Sequence, residues 1–258
     1  MPRIRVRIPT AIVGFLLAAA GLVAGDVRIG AHTGLSVPNI RGGNDPYSRG
    51  FTSRFGPFFG LSFETHLTGR LSLAAEINYT SQGGLRKGLQ PITMDLPDGL
   101  PIPPGTQLYA NFRNETILDY LEFPVMGRLT FGERTRFFVS AGPYVGFLVL
   151  AKAKTRGVSA LYLDEAGTQP VIIPPDTEPL EVDLGASTNV KSSLKSTNLG
   201  LIFGVGVSRP LGPGDIVLEA RGQIGLSTIQ RDVATSGDNQ TGAFVVSLGY
   251  TFALRRGK

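Results

Sequence analysis

Eight stretches of this chain alternate bulky apolar residues with small or polar ones at every second position, and this feature narrows its fold more than any other. They run from Val27 to Ser36, Arg54 to Leu67, Leu71 to Gln82, Leu118 to Phe131, Arg136 to Ala153, Asn198 to Pro210, Asp215 to Thr228 and Thr241 to Phe252. A period of two is that of a strand with two unlike faces. Strands in soluble proteins average about five or six residues. A tilted strand crosses a bilayer in about nine to eleven, which is the class of length seen here. The pattern therefore predicts strands that span a membrane. Only helices and closed barrels satisfy every backbone group in lipid.

The links between the stretches give an independent test. Thr68-Gly69-Arg70, Gly132-Glu133-Arg134-Thr135 and Leu211-Gly212-Pro213-Gly214 are tight turns. Between them lie longer links, Val37 to Ser53, Gly83 to Ile117, Lys154 to Thr197 and Ile229 to Gln240. Short and long alternate strictly, as in outer-membrane barrels with short periplasmic turns and longer external loops. The predicted fold is all-β, a single eight-stranded antiparallel transmembrane up-and-down β-barrel in the bacterial outer membrane with both termini periplasmic.

The first residues fit export. Met-Pro-Arg-Ile-Arg-Val-Arg is followed by an uncharged apolar run from Ala11 to Val23 and then Ala24-Gly25-Asp26, the order of a secretory signal. The run is short of the about 20 residues that a spanning helix needs. Residues 1–25 are expected to be a cleaved signal peptide and 26–258 one barrel domain. Cleavage removes Arg3, Arg5 and Arg7, leaving 22 Lys and Arg against 20 Asp and Glu, so the net charge falls from +5 to +2. The basic balance is then no argument for a nucleic-acid partner. The chain has no cysteine, which excludes disulfides and thiolate chemistry.

Volume decides which face points outward. The interior of an eight-stranded barrel is just wide enough for side chains to fill it or to hold one small ligand. Bulky sets such as Leu71, Leu73, Ile77 and Tyr79, or Leu199, Leu201, Phe203 and Val205, must then face lipid. Turning the polar faces inward brings together Arg28, His32, Glu64, His66, Glu76, Glu122, Arg128, Glu219 and Arg221. Unpaired charges in a narrow lumen are costly. The expectation is an ion-pair network of Arg28, His32, Glu64, Glu76, Glu122, Arg128, Glu219 and Arg221 that plugs the barrel. Pro57, Pro124 and Pro143 fall inside strands, where proline removes a ladder donor. Bulges or irregular pairing are expected near them.

Four pieces resemble the PorT-like "outer membrane protein β-barrel domain" family, also called porin family proteins. They are Tyr120-Leu121-Glu122-Phe123-Pro124, Ala141-Gly142-Pro143-Tyr144-Val145-Gly146, Leu218-Glu219-Ala220-Arg221 with Gly225-Leu226, and Leu248-Gly249-Tyr250-Thr251-Phe252. The closing strand also resembles the aromatic-ended signal read by barrel-assembly machinery, with Tyr250 and Phe252 as its aromatics. Ser247 stands where that signal has glycine, and six residues follow Phe252. The resemblance implies insertion by that machinery, outer-membrane lipid as surroundings, and an envelope or secretion-system protein as a possible partner. No cofactor is implied.

Three functions are compatible with such a chain. The first is a non-enzymatic barrel acting through its long loops as a surface, structural or interaction protein. The second is a small passive pore. The third, a lipid-modifying enzyme, needs a nucleophile and base near the lipid-facing rim. Only His32 and His66 are available as histidines, and both fall on the inward parity.

Overall fold

The computed structural model describes residues 27–43, 46–92, 102–103, 105–173 and 177–254. The expected signal peptide lies outside the described residues. Eight long strands form the wall: β1 (Val27–Gly42), β2 (Gly56–His66), β3 (Leu71–Pro91), β4 (Tyr109–Phe131), β5 (Arg136–Arg156), β6 (Thr197–Leu211), β7 (Gly214–Gly225) and β8 (Asn239–Leu254). Each pairs antiparallel with the next, and β1 pairs with β8. The ring is closed, so within it each of the eight wall strands has a neighbour on both sides.

Burial alternates along each wall strand with the parity read from the sequence. On β7, Ile216, Leu218 and Ile224 are exposed while Asp215, Glu219, Arg221 and Gln223 are buried. On β3, Ser72, Ala74, Glu76, Asn78 and Thr80 are buried, and their neighbours are half exposed. Large apolar groups such as Leu61, Phe137, Phe203, Leu218 and Phe244 are at least half exposed on the outer face. A water-facing monomer tolerates only a few hundred Å² of such patch.

Three corrections to the expected layout follow from the pairing. First, strands continue where links were expected. β1 runs to Gly42, β3 to Pro91 and β5 to Arg156, and β4 begins at Tyr109. Gly83 pairs Ile117 and the ladder continues to Pro91 with Tyr109. Past the bilayer the outer face no longer has to be apolar, so the alternation fades although the hydrogen bonds persist. Second, irregular pairing occurs at Pro124 and Pro143 as expected, but no bulge forms, and the register passes through all three prolines without a shift. The β2–β3 ladder begins at Phe58, just after Pro57. Pairing lapses on the β3 side of Pro124 and on the β4 side of Pro143, where Gly142 and Pro143 lie opposite Met126 and Val125, and there a Cβ on Gly142 would come 1.9 Å from the Val125 carbonyl oxygen. The register shift lies elsewhere, between Asp119 and Tyr120, where Val149 of β5 is the extra residue. It moves the inward parity from Leu148 to Ala151. Third, the inward face is not purely polar, since Phe58, Met126, Tyr144, Ile202 and Val245 are buried on it.

The described parts of the second and third long links are folded. Short strands Val158–Tyr162, Glu181–Asp183 and Ala186–Asn189 pair with β4, with one another and with β5. Leu108, Ala110, Phe112, Leu161, Val182 and Leu184 form an apolar cluster there, with Ile92, Ile102, Val171 and Leu180 packed against it. This cap has its own small core.

Candidate functional site

All eight residues of the expected network are carried on inward-facing strand positions, but the structure sorts them into layers. At the turn end, Arg28 of β1 and Arg136 of β5 both bridge Asp215 of β7. Next, Arg128 of β4 holds Glu64 of β2 at 2.7 Å and reaches Glu219 of β7 at 3.5 Å. The Arg128 guanidinium also lies 4.2 Å from the Phe138 ring centre, which adds a cation–π attraction.

The mid-barrel layer is the most enclosed. Arg221 donates through Nη1 and Nη2 to the two oxygens of Glu76 at 2.5 and 2.8 Å, and through Nη2 to Glu219 at 2.8 Å. Arg221 and Glu76 are each 1 % exposed by side chain. Asn78 donates to Glu76 at 2.9 Å, and its other amide atom bonds the His32 imidazole at 2.8 Å. His32 stacks on Phe58 at 5.2 Å. One connected chain, Glu64–Arg128–Glu219–Arg221–Glu76–Asn78–His32, thereby ties β2, β4, β7, β3 and β1.

Local sequence makes this layer possible. Glu219 and Arg221 share a face because they are two apart on β7, and their cross-strand neighbours on β6 are Gly206 and Gly204. A Cβ on Gly204 would come 2.6 Å from Glu219 Oε1 and 2.6 Å from Ser140 Oγ. Gly60 plays the same part on β2, where a Cβ would come 2.1 Å from Asn78 Oδ1. The inward glycines leave the volume that the ion pairs fill.

Two expected members are differently placed. Glu122 is fully buried but has no ion pair among the described residues. It accepts from Thr80 at 2.8 Å, Gln82 at 2.5 Å and Gln223 at 3.0 Å. It sits one layer farther from the turns, where the guanidiniums are already committed to other carboxylates. His32 is held by an amide rather than a carboxylate. Sequence reasoning missed Asp215 and Arg136, although both fall on the parity of their strands' inward residues and were legible there.

The two ends of the interior differ. At the turn end an open cavity of about 530 Å³ is lined by Arg28, Glu64, His66, Arg70, Arg128 and Asp215 among others. Toward the long links, Leu118, Tyr120, Leu148, Ala151, Leu194 and Ile229 make an apolar cluster. Among the described residues no group of three or more His, Cys, Asp or Glu is placed to hold a metal ion.

The family model described as "Outer membrane protein beta-barrel domain" matches residues 19–231. The chain belongs to that family. This outer-membrane barrel is also similar to solved structures. The attachment invasion locus protein Ail of Yersinia pestis is 12% identical, with 88% of this chain and 99% of that chain covered at a TM-score of 0.38. Neisserial surface protein A is 12% identical over 88% of this chain and 97% of that chain, at 0.38. The N-terminal β-barrel domain of Pseudomonas aeruginosa OprF is 12% identical over 89% and 98%, at 0.36. A search of curated proteins finds no match. The outer-membrane family match ends before β8, the strand that closes the ring against β1.

Proposed function

We propose that this barrel is a non-enzymatic surface protein of the outer membrane whose lumen is plugged and whose working part is the folded cap. The observation that carries this reading is the cap's own apolar core, built from β4 and the third long link. A decoration with no role needs no such core, and scaffolds of this kind carry function in their loops. Filling of the interior by the ion-paired layers, Glu122 with its amide donors, and the apolar cluster toward the long links supports a plug over a passive pore. The polar turn-end cavity is itself lined by the ion-paired Arg28, Arg136 and Asp215, and Arg128 and Glu64 stand at its inner side, so it favours a pore only at that end. His32 packs inside the wall against Phe58 and Asn78 rather than at a lipid-facing rim, which speaks against lipid modification.

The finer reading includes a PorT-like relationship, on the four sequence pieces quoted above, and removal of residues 1–25. It places both termini in the periplasm, outer-membrane lipid around the belt, assembly machinery acting at insertion and an envelope or secretion-system protein against the cap. Orientation is open to a direct test because the chain has no cysteine. Val158→Cys, in the cap and 64% exposed, is expected to react on intact cells with a maleimide too large to enter the periplasm. Glu133→Cys, in a turn, is expected to react only after the outer membrane is opened. The reverse pattern overturns the orientation. A cross-linked pull-down from outer membranes that recovers one partner with the native cap, and loses it with Leu161→Asp, supports the interaction role. Equal recovery with both removes it.

A further inference from the structure

Toward the turns the ion-paired layers leave a cavity of about 530 Å³, within the ~300–1,000 Å³ typical of small-ligand sites. Its walls carry Arg28, Arg70, Arg128 and Arg136. Against them stand Glu64, Glu133 and Asp215. Four guanidiniums against three carboxylates leave one positive charge in excess before His66 is counted. The carboxylates of the inner wall are already committed, Asp215 to both Arg28 and Arg136, and Glu64 to Arg128 at 2.7 Å. The guanidiniums are not used up. Arg128 Nε and Arg136 Nε are buried and have no acceptor among the described residues. Arg70, exposed at the rim, has no ion pair among them. His66 Nδ1 is also buried without a partner, and an imidazole can present that nitrogen as a donor.

This imbalance selects the sign of a ligand. A cation entering the cavity must displace a guanidinium from its carboxylate. An oxyanion instead supplies an acceptor where buried N–H groups lack one, and hydrogen bonds between guanidinium and carboxylate or phosphate are among the strong ones. The rest of the lining describes the ligand's body. Thr130, Ser208 and Thr251 are half-buried there and bring hydroxyls that donate and accept, while Phe138 and Val217 add a smaller apolar part. Such a wall suits a hydroxylated body better than a hydrocarbon chain. Its depth is limited, because behind Arg128 a crevice of about 20 Å³ continues to His32 and Arg221, room for roughly one water. A solute therefore stops at Arg128.

We propose that the turn-end cavity binds a small hydroxylated organic oxyanion, a sugar acid or sugar phosphate. Its anionic head lies on Arg136, Arg128 and Arg70, and its hydroxyls on Thr130, Ser208 and Thr251. Naming the periplasm as the ligand's source rests on the orientation proposed above, but binding to the purified protein does not.

The test is isothermal titration calorimetry of the full folded chain in detergent, with glucuronate, glucose 6-phosphate, glucose and inorganic phosphate as titrants. Saturable binding of either anionic sugar is expected, and the tighter of the two identifies the head group. Glucose is expected to give no saturable heat, and inorganic phosphate, a head without a body, to bind at least about tenfold more weakly than the tighter sugar. Arg136→Gln leaves Asp215 with Arg28 and is expected to lose about tenfold in affinity, the low end for hydrogen bonds to a charged group. Arg70→Gln, at the exposed rim, is expected to lose about two- to fivefold, and it keeps the test available if Arg136→Gln does not fold. Arg209→Gln, exposed and outside the cavity lining, is expected to bind as wild type does. Heat-modified gel migration verifies that each variant is folded. No saturable binding of either anionic sugar, glucose or inorganic phosphate binding as tightly, or unchanged affinity in the folded arginine variants overturns the proposal. A reversed cysteine-labelling pattern leaves these affinities unchanged, so the two readings fail separately.

Discussion

Arg221 serves two carboxylates at once, and its replacement separates pairing from packing. Arg221→Met keeps most of the volume but leaves Glu76 without a cation, while Glu219 retains Arg128. Breaking a buried pair by removing one partner costs about 3–5 kcal/mol, and urea unfolding of the folded barrel in lipid vesicles is the measurement. Glu122→Gln is expected to cost under about 1 kcal/mol by the same assay, although Glu122 is as buried as Glu76. Its partners are neutral, and Gln82 Oε1 and Gln223 Oε1 have no hydrogen-bond partner. An amide turn at Gln82 would present that oxygen to the new NH₂ group, and amide orientation is the kind of assignment that a network can exchange. If the two variants lose equal stability, the distinction between a charged layer and an amide-held layer is wrong.

At the scale of the element, parity is what the sequence makes legible. Residues two apart on Leu71 to Tyr79 or Ile216 to Ile224 announce one face in lipid and one inside, and that alone turns Glu76, Glu219 and Arg221 inward. Strand ends were less legible. Gly83, Gly84 and Gly88 carry no strand signal, and β3 passes through them because β4 supplies the hydrogen bonds. Prolines marked irregular pairing at Pro124 and Pro143, as expected, but no bulge and no change of register, whereas Val149 changes register with no sequence mark. The close strand approach at Gly142 is testable. Gly142→Ala must push a methyl against the Val125 carbonyl and is expected to cost about 1–3 kcal/mol. Gly127→Ala, whose nearest atom would be 4.0 Å away, should fall within about 0.5 kcal/mol of wild type. Equal unfolding midpoints for the two would show that the β4–β5 approach is looser than described.

The whole molecule is a barrel with two unlike ends. β3, β4 and β5 are 21, 23 and 21 residues long, against 12 for β7. One side of the wall therefore stands far past the nine to eleven residues that a bilayer needs and carries the cap. Membrane wall and cap are expected to fail separately, because the cap's apolar cluster lies apart from the ion-paired layers. Leu161→Asp, at a fully buried cap position, should open the third long link to protease while the barrel keeps its heat-modified gel shift. Loss of both together would make the cap part of the barrel's folding unit. How much of this was readable depends on what each part answers to. Lipid imposes a pattern on every strand that crosses it, so the wall could be read. The cap answers only to its own packing, and although Leu108, Ala110 and Phe112, and Leu180, Val182 and Leu184, fall at every second position, these runs are too short to announce a crossing strand.

Planar-bilayer conductance of the purified, folded chain tests the proposed plug most directly. The layers from Asp215 through Arg221 and Glu122 to Leu118 predict a flat current trace at all applied voltages below membrane breakdown. Stable, reproducible single-channel steps from the wild-type protein would contradict it.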